Sequence, residues 1–168
     1  MKHEYIIKGD NILLRPLEEN YIEILRCWRN KKEIQKWFLN SRVINKEEQI
    51  KWFENYINNN DEIMFIIESS DLNIPVGAIA LCNIDRENNM AEPGRLMIGE
   101  EIARGKFMGT KALKLLCNFA LSELNMKEIY INVIANNRAI KIYERLGFKH
   151  VCKYVHEDKD VVKMNMVR

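Results

Sequence analysis

The sequence predicts an α+β fold: a mixed, mostly antiparallel central sheet with one parallel crossover and flanking helices. Three observations lead there. Two helical segments come early, and short apolar runs split by polar turns follow between 63 and 98. A strand at 95–98, an amphipathic helix after Gly109 and the alternating "KEIYINVIA" then make a strand–helix–strand unit. Such a crossover leaves its two strands parallel inside an otherwise antiparallel sheet. The chain closes on two further strands around the acidic turn "HEDKD".

Each element has its own signal. "NILLRPL" reads as a first strand, closed by Pro16, whose missing N–H suits a strand end. "EENYIEILRCWRN" sets Tyr21, Ile24, Leu25 and Trp28 on one helical face. "INKEEQIKWFENYINNN" opens with Asn45 and carries Glu48 three residues later, the spacing of a capping box. Its inner stripe is expected at Ile50, Phe53 and Ile57. "EIMFIIESS" and "IPVGAIALCNID" are apolar strand runs, and "RENNM" is a hairpin loop leading to the strand at 95–98. After the glycines, Ala112, Leu113, Leu116, Cys117, Ala120 and Leu124 recur at helical spacing. Ile129, Ile131 and Val133 alternate along the next strand. "NRAIKIYERL" is a short helix stopped by Gly147, with Ala139, Ile142 and Leu146 expected on the inner side with Tyr143. "FKHVCKYV" and "VVKMNMVR" complete the order β-α-α-β-β-β-α-β-α-β-β.

Bulk composition narrows the class. The 168 residues suit one domain, expected over 1–168. A net charge of +2 requires neither nucleic acid nor an anionic membrane as partner. Cys27, Cys82, Cys117 and Cys152 are scattered without CxxC, as buried thiols of a reducing compartment are. "MKHEYIIKGD" reads as neither signal peptide nor anchor, and no run approaches the roughly 20 apolar residues of a membrane span. The expected location is cytoplasmic. No HxH, HExxH or carboxylate pair suggests a metal, and no Cys–His signature suggests an acyl-cysteine route.

"ARGKFMGTKALKLLCNFA" reads two ways. Gly105 and Gly109 can shape a turn whose N–H groups converge on phosphate, backed by the positive end of the following helix. A basic turn before a helix is also an ordinary surface feature. The topology adds weight to the first reading. This loop and "ANNRAIKIYERLGF" fall on the same edge of the sheet, where strands that part leave a cleft.

These two segments carry a resemblance to the GNAT superfamily of acyl-CoA-dependent N-acetyltransferases, over nearly the full length from "NILLRPL" to "KMNMV". The donor-binding motif of that superfamily is Arg or Gln, two residues, Gly, one residue, then Gly or Ala. It falls on Arg104, Gly105, Lys106, Phe107, Met108 and Gly109, with Phe107 replacing the first motif glycine. The later motif, NxxAIxxYxxxGF, is intact at Asn136, Ala139, Ile140, Tyr143, Gly147 and Phe148. Within the superfamily, "RN", "WF", "KWFENY" and "GRLMIGE" resemble two overlapping branches. One acetylates nucleotide-linked amino sugars; the other acetylates ribosomal-protein N-termini and some aminoglycosides or polyamines. The acceptor-side segments lean to the amino-sugar branch. A catalytically inactive acyl-CoA-binding module is the reading from another class.

The resemblance implies the acyl-CoA N-acyltransferase fold, with acetyl-CoA as acyl donor in the cleft where strands 95–98 and 128–133 part. The partner it implies is a small-molecule amine, and the protein would be a monomer or homodimer. Its pyrophosphate would rest on backbone N–H groups from Arg104 to Gly109 and Thr110, and its pantetheine amides would pair beside Met97 and Ile98. A bulky Phe107 at positive φ costs energy, so the turn is expected either to have negative φ there or to be shaped differently. Tyr143 is the candidate general acid for the departing thiolate, against a plain core aromatic. Asn136 would contact the donor or cap the helix, with Asn137 competing for the cap. Glu92 and Glu100 are the candidate bases, each also readable as a surface carboxylate, and His150 ranks below them. Arg29, Asn30, Trp37, Phe38 and Trp52 would form the acceptor wall, against ordinary core packing.

Overall fold

The structure, a computed structural model, describes residues 2–38 and 40–168; Met1 and Leu39 lie outside the described residues. The elements run β1 (Ile7–Gly9), β2 (Ile12–Pro16), α1 (Ile22–Arg29), α2 (Lys32–Gln35) and α3 (Lys46–Asn58). They continue with β3 (Ile63–Ser69), β4 (Ile74–Asp85), β5 (Met90–Ile98), α4 (Met108–Ser122), β6 (Glu128–Ile134), α5 (Ile140–Arg145), β7 (Lys149–His156) and β8 (Lys159–Val167). The eight strands form one sheet in the order β1-β2-β3-β4-β5-β6-β8-β7. Every pairing is antiparallel except β5 with β6. The mixed sheet with one parallel crossover is therefore as the sequence predicts. Strand β1 and helix α2, at three and four residues, carry too little pattern to be read in advance.

Two cores cover the two faces of the sheet. The period-2 alternation of β3 divides its side chains between them. Ile63, Phe65 and Ile67 face α4, while Met64 and Ile66 face α1 and α3. On α1, Leu25 and Trp28 are buried as the spacing predicts, with Tyr21 and Ile24 packed against the same core. The α3 capping box forms: the Asn45 side chain accepts from the Glu48 N–H at 2.9 Å, and the Glu48 carboxylate accepts from the Asn45 N–H at 2.9 Å. The α3 stripe is corrected. Gln49, Trp52, Phe53 and Tyr56 face inward, while Ile50 and Ile57 are exposed. On α5, Ile140, Tyr143 and Leu146 pack on the core, rather than the predicted Ala139 and Ile142.

Two irregularities in the β4–β5 ladder open the sheet. Ala78 pairs with Met97 and Ala80 with Gly94, so β5 holds one extra residue at Arg95–Leu96. Arg95 takes a left-handed φ of 52° there. A bulge of this kind bends its strand and re-aims a side chain. A second lies on β4 between Cys82 and Asp85, where Asn83 has φ 49°. Strand β5 leaves β6 after Ala91, ahead of the first bulge. The parallel ladder holds only Met90 with Glu128 and Ala91 with Ile129, and beyond it the two strands splay into a V.

Candidate active site

The V opens into two cavities that meet. One, beneath the N-terminus of α4, is lined by Leu96, Ile98, Arg104, Gly105, Phe107, Met108, Gly109 and Thr110, and by Ala139, Ile142 and Tyr143 of the α5 segment. The glycine loop and the later motif segment are thus brought together. The other cavity, of about 750 Å³, lies on the α1–α3 side of the sheet. Its walls include Arg29, Trp37, Phe38, Trp52, Glu92, Arg95, Met97 and Asn132. Tyr143, Leu96, Leu113 and Ala139 belong to both cavities.

The loop side suits an anionic donor. The first turn of a helix leaves N–H groups without intrahelical acceptors, and α4 has no side-chain cap on its first residue. Those of Met108, Gly109 and Thr110 stand at the cavity wall, at the positive end of a 15-residue helix. Gly105 has φ 74° and nothing within 4 Å of a built Cβ; at Gly109 a Cβ would meet Ile98 and Leu96 at 3.7–3.9 Å. A side chain at either position would take up space that the cavity leaves for a ligand. Phe107 corrects an expectation. It keeps the left-handed turn, with φ 59° and ψ 14°, because its ring, 74 % exposed, clashes with nothing. The cost is that of the backbone conformation itself, about 1–2 kcal/mol. Arg104 lines the cavity and its guanidinium donates to Glu33 at 3.0 Å, whereas Lys106 is exposed and lines neither cavity.

At the junction, Tyr143 packs edge-on against Phe148 with ring centroids 6.0 Å apart. Burial, reinforced by the nearby Cys117 thiol, pushes its phenol up to about 12. The proton therefore stays on the hydroxyl throughout the neutral range. Glu92 lines the larger cavity. Its carboxylate accepts from the Asn83 amide at 2.7 Å, and from the Asn132 amide and N–H at 2.9 and 3.2 Å. Asn83 reaches it from the β4 bulge. Asn83 and Asn132, 49 residues apart in a chain otherwise rich in asparagine, gave no signal in the sequence.

Glu100, Asn30, Asn136 and His150, like Lys106, are not brought to the cleft. Glu100 lines neither cavity; its carboxylate accepts from the Trp28 indole N–H at 2.8 Å, beside Gly99, whose missing Cβ leaves room for the Trp28 ring. Asn30 braces the backbone of Ile44, accepting from its N–H at 2.9 Å and donating to its carbonyl at 2.8 Å. Asn136 is exposed, and Asn137 makes the capping contact by accepting from the Ala139 N–H at 2.9 Å. His150 lies on exposed β7, hydrogen-bonded to Glu144 at 2.9 Å. On the acceptor wall the Arg29 guanidinium stacks 3.8 Å above the Phe38 ring, and Arg95 lies 5.6 Å above Trp52. Arg95 also pairs with Glu62, a partnership across 33 residues that no local pattern announces.

Comparison with known proteins bears on the family and the fold. The chain is 26 % identical over 148 residues to the spermidine N(1)-acetyltransferase of Escherichia coli K12, covering 88 % of this chain and 77 % of that protein. It is 28 % identical over 161 residues to an uncharacterized protein of Methanocaldococcus jannaschii, covering 95 % of this chain and only 32 % of that longer relative. The fold is that of spermidine N-acetyltransferase from Vibrio cholerae, solved with CoA and spermine, at a TM-score of 0.87 and 22 % identity over 95 % of this chain and 96 % of that one. Among the described residues no helix is long and apolar enough to cross a membrane. The model for the acetyltransferase (GNAT) domain matches residues 11–149. The chain therefore belongs to the GNAT acetyltransferase family and is an N-acetyltransferase with acetyl-CoA as its acyl donor.

Proposed function

We propose that this acetyltransferase passes the acetyl group directly from the thioester to the primary amine of a small molecule, with Tyr143 and Glu92 moving the protons. The observation that carries the reading is that Tyr143 lines both cavities, in the wall where a donor in one and an acceptor in the other would meet. The N–H groups of Met108, Gly109 and Thr110 bind the donor's pyrophosphate. Beyond Ala91, the edge of β5 that turns from β6 presents the backbone of Ile98 to the donor's amides and to the oxyanion that amine attack creates, while Met97 beside it is turned to β4. Glu92 accepts the amine's proton, and its three hydrogen bonds hold the carboxylate in place. Tyr143, still protonated, gives its proton to the departing thiolate.

Polyamines are one acceptor class to test, since spermidine is the substrate named for the E. coli and V. cholerae proteins. The aromatic wall of Trp37, Phe38 and Trp52 favours a second reading, an amino-sugar nucleotide, because flat rings stack on sugar and base faces. The test is release of free CoA thiol across a panel of spermidine, amino-sugar nucleotides and N-terminal peptides. A small amine should give turnover well above the peptides. CoA binding without thiol release for any amine would replace this reading with that of an inactive acyl-CoA-binding module.

A further inference from the structure

The larger cavity holds a cation, Arg29, that has no ion-pair partner among the described residues. The Nη1 atom of Arg29 is buried and has no hydrogen-bond partner, while Nη2 donates to the Asn40 carbonyl. Burial, and with it the field of Arg95, pulls the Arg29 guanidinium down to about 10. Of the carboxylates on the same walls, Asp61 is exposed and forms no ion pair with Arg29, and the other three are engaged elsewhere. Glu62 pairs with Arg95, Glu48 with Arg42, and Glu92 is held by Asn83 and Asn132. Burying a charged group without a hydrogen-bonding partner is costly, and the cost is recovered if a ligand supplies the acceptor. Phe38 covers the guanidinium from one face at 3.8 Å, Nη2 is taken by Asn40, and Nη1 is left as the donor in need of an acceptor.

We propose that Arg29, with Arg95 beside it, is an anion-reading subsite, so that the amine acetylated by this enzyme carries a phosphate or a carboxylate. The inference rests on the acetyl-transfer reading of the cleft and narrows its acceptor. The cavity then has two ends of opposite preference. The amine lies toward Glu92 and Tyr143, and the anion lies toward the arginines. A bare polycation would set its charges against Arg29 and Arg95, and like-charge juxtaposition is a means of rejecting a partner.

The test separates the subsite from the chemistry. Inorganic pyrophosphate and succinate are titrated calorimetrically into protein saturated with CoA, so that the donor site is filled. At least one should bind, and Arg29→Gln should weaken it at least tenfold; which of the two binds decides between phosphate and carboxylate. Matched acceptors give a second reading: glucosamine 6-phosphate against glucosamine, and 4-aminobutyrate against butylamine. In at least one pair the anionic member should have the higher kcat/KM, and the preference should fall tenfold or more in Arg29→Gln and partly return in Arg29→Lys. Thermal melts confirm that both variants are folded, and Arg29→Lys carries the test if Arg29→Gln is not. Absence of binding by both probes to the CoA-loaded protein overturns the proposal. So does spermidine as best acceptor with Arg29→Gln improving its turnover. Loss of all thiol release with probe binding intact would instead refute the transfer reading and leave the subsite standing.

Discussion

Tyr143→Phe removes one hydroxyl from the junction of the two cavities and keeps the ring that packs on Phe148. With acid catalysis lost, kcat should fall about 10–1000-fold, equivalent to about 1.4–4 kcal/mol of barrier. The raised phenol fixes the shape of the pH dependence. A group that titrates at about 12 is protonated in nearly every molecule up to pH ~10, so the ratio of wild-type to variant kcat should be flat from about pH 6 to 10. An ordinary phenol would make that ratio fall as pH approaches ~10. Stability should show the same shift with its own sign. Between the unfolded value of 10.0 and the folded value of about 12, the unfolded chain has released the proton and the folded chain has not, so stability is lost as pH rises. At pH ~10.5 the Tyr143 share of that loss is about 0.8 kcal/mol, and the variant lacks it. The assays are thiol release under conditions where chemistry limits the rate, and urea unfolding at pH 8 and 10.5. Equal kcat in a folded variant, or a ratio that collapses by pH 9, would refute the assignment.

Other perturbations follow from the same geometry. Glu92→Gln should lower kcat tenfold or more at neutral pH, with the deficit shrinking as alkaline pH deprotonates the amine itself; superimposable pH profiles would remove Glu92 as base. Gly99→Ala would place a Cβ 2.0 Å from the Trp28 ring, and should cost about 1–3 kcal/mol or more, seen as a lower urea midpoint by tryptophan fluorescence; an unchanged midpoint would contradict the packing. Phe107→Gly relieves a left-handed φ of 59° but loosens the unfolded chain, so the net gain should be positive and at most about 1 kcal/mol, and a fall in Tm would show that the ring contributes contacts of its own.

Much of this was legible because periodicity and burial agreed. Helix α4 alternates as its core demands: Ala112, Leu113, Leu116, Cys117 and Ala120 are all buried. The capping box placed the start of α3, but its phase was lost because apolar residues lie on both faces and the buried set includes Gln49. A count of hydrophobic residues cannot orient such a helix. The motif segments placed the donor loop and Tyr143 on one edge of the sheet. Residues set by long-range contacts were beyond that reasoning. Glu100 is drawn to Trp28, 72 residues away, and Glu92 is fixed by an asparagine from a bulge. The two bulges arise from register between strands, which no single strand encodes.

The two-rung parallel ladder between β5 and β6 has a mechanical consequence. It is the seam between a five-strand leaf, β1 to β5, and a three-strand leaf, β6, β8 and β7. The open edge of β5 at Ile98 rides on the first leaf, and Tyr143 lies on α5, between β6 and β7 of the second. A seam of two residue pairs is a compliant joint beside the seven-pair ladder that holds β6 to β8. Flexing there would change the span between the open edge of β5 and Tyr143, and helix α4, packed on both leaves, would limit it. A donor lying along the open edge of β5 would bear on both leaves at once, acting as a splint that sets the angle at which the two halves of the reaction face each other.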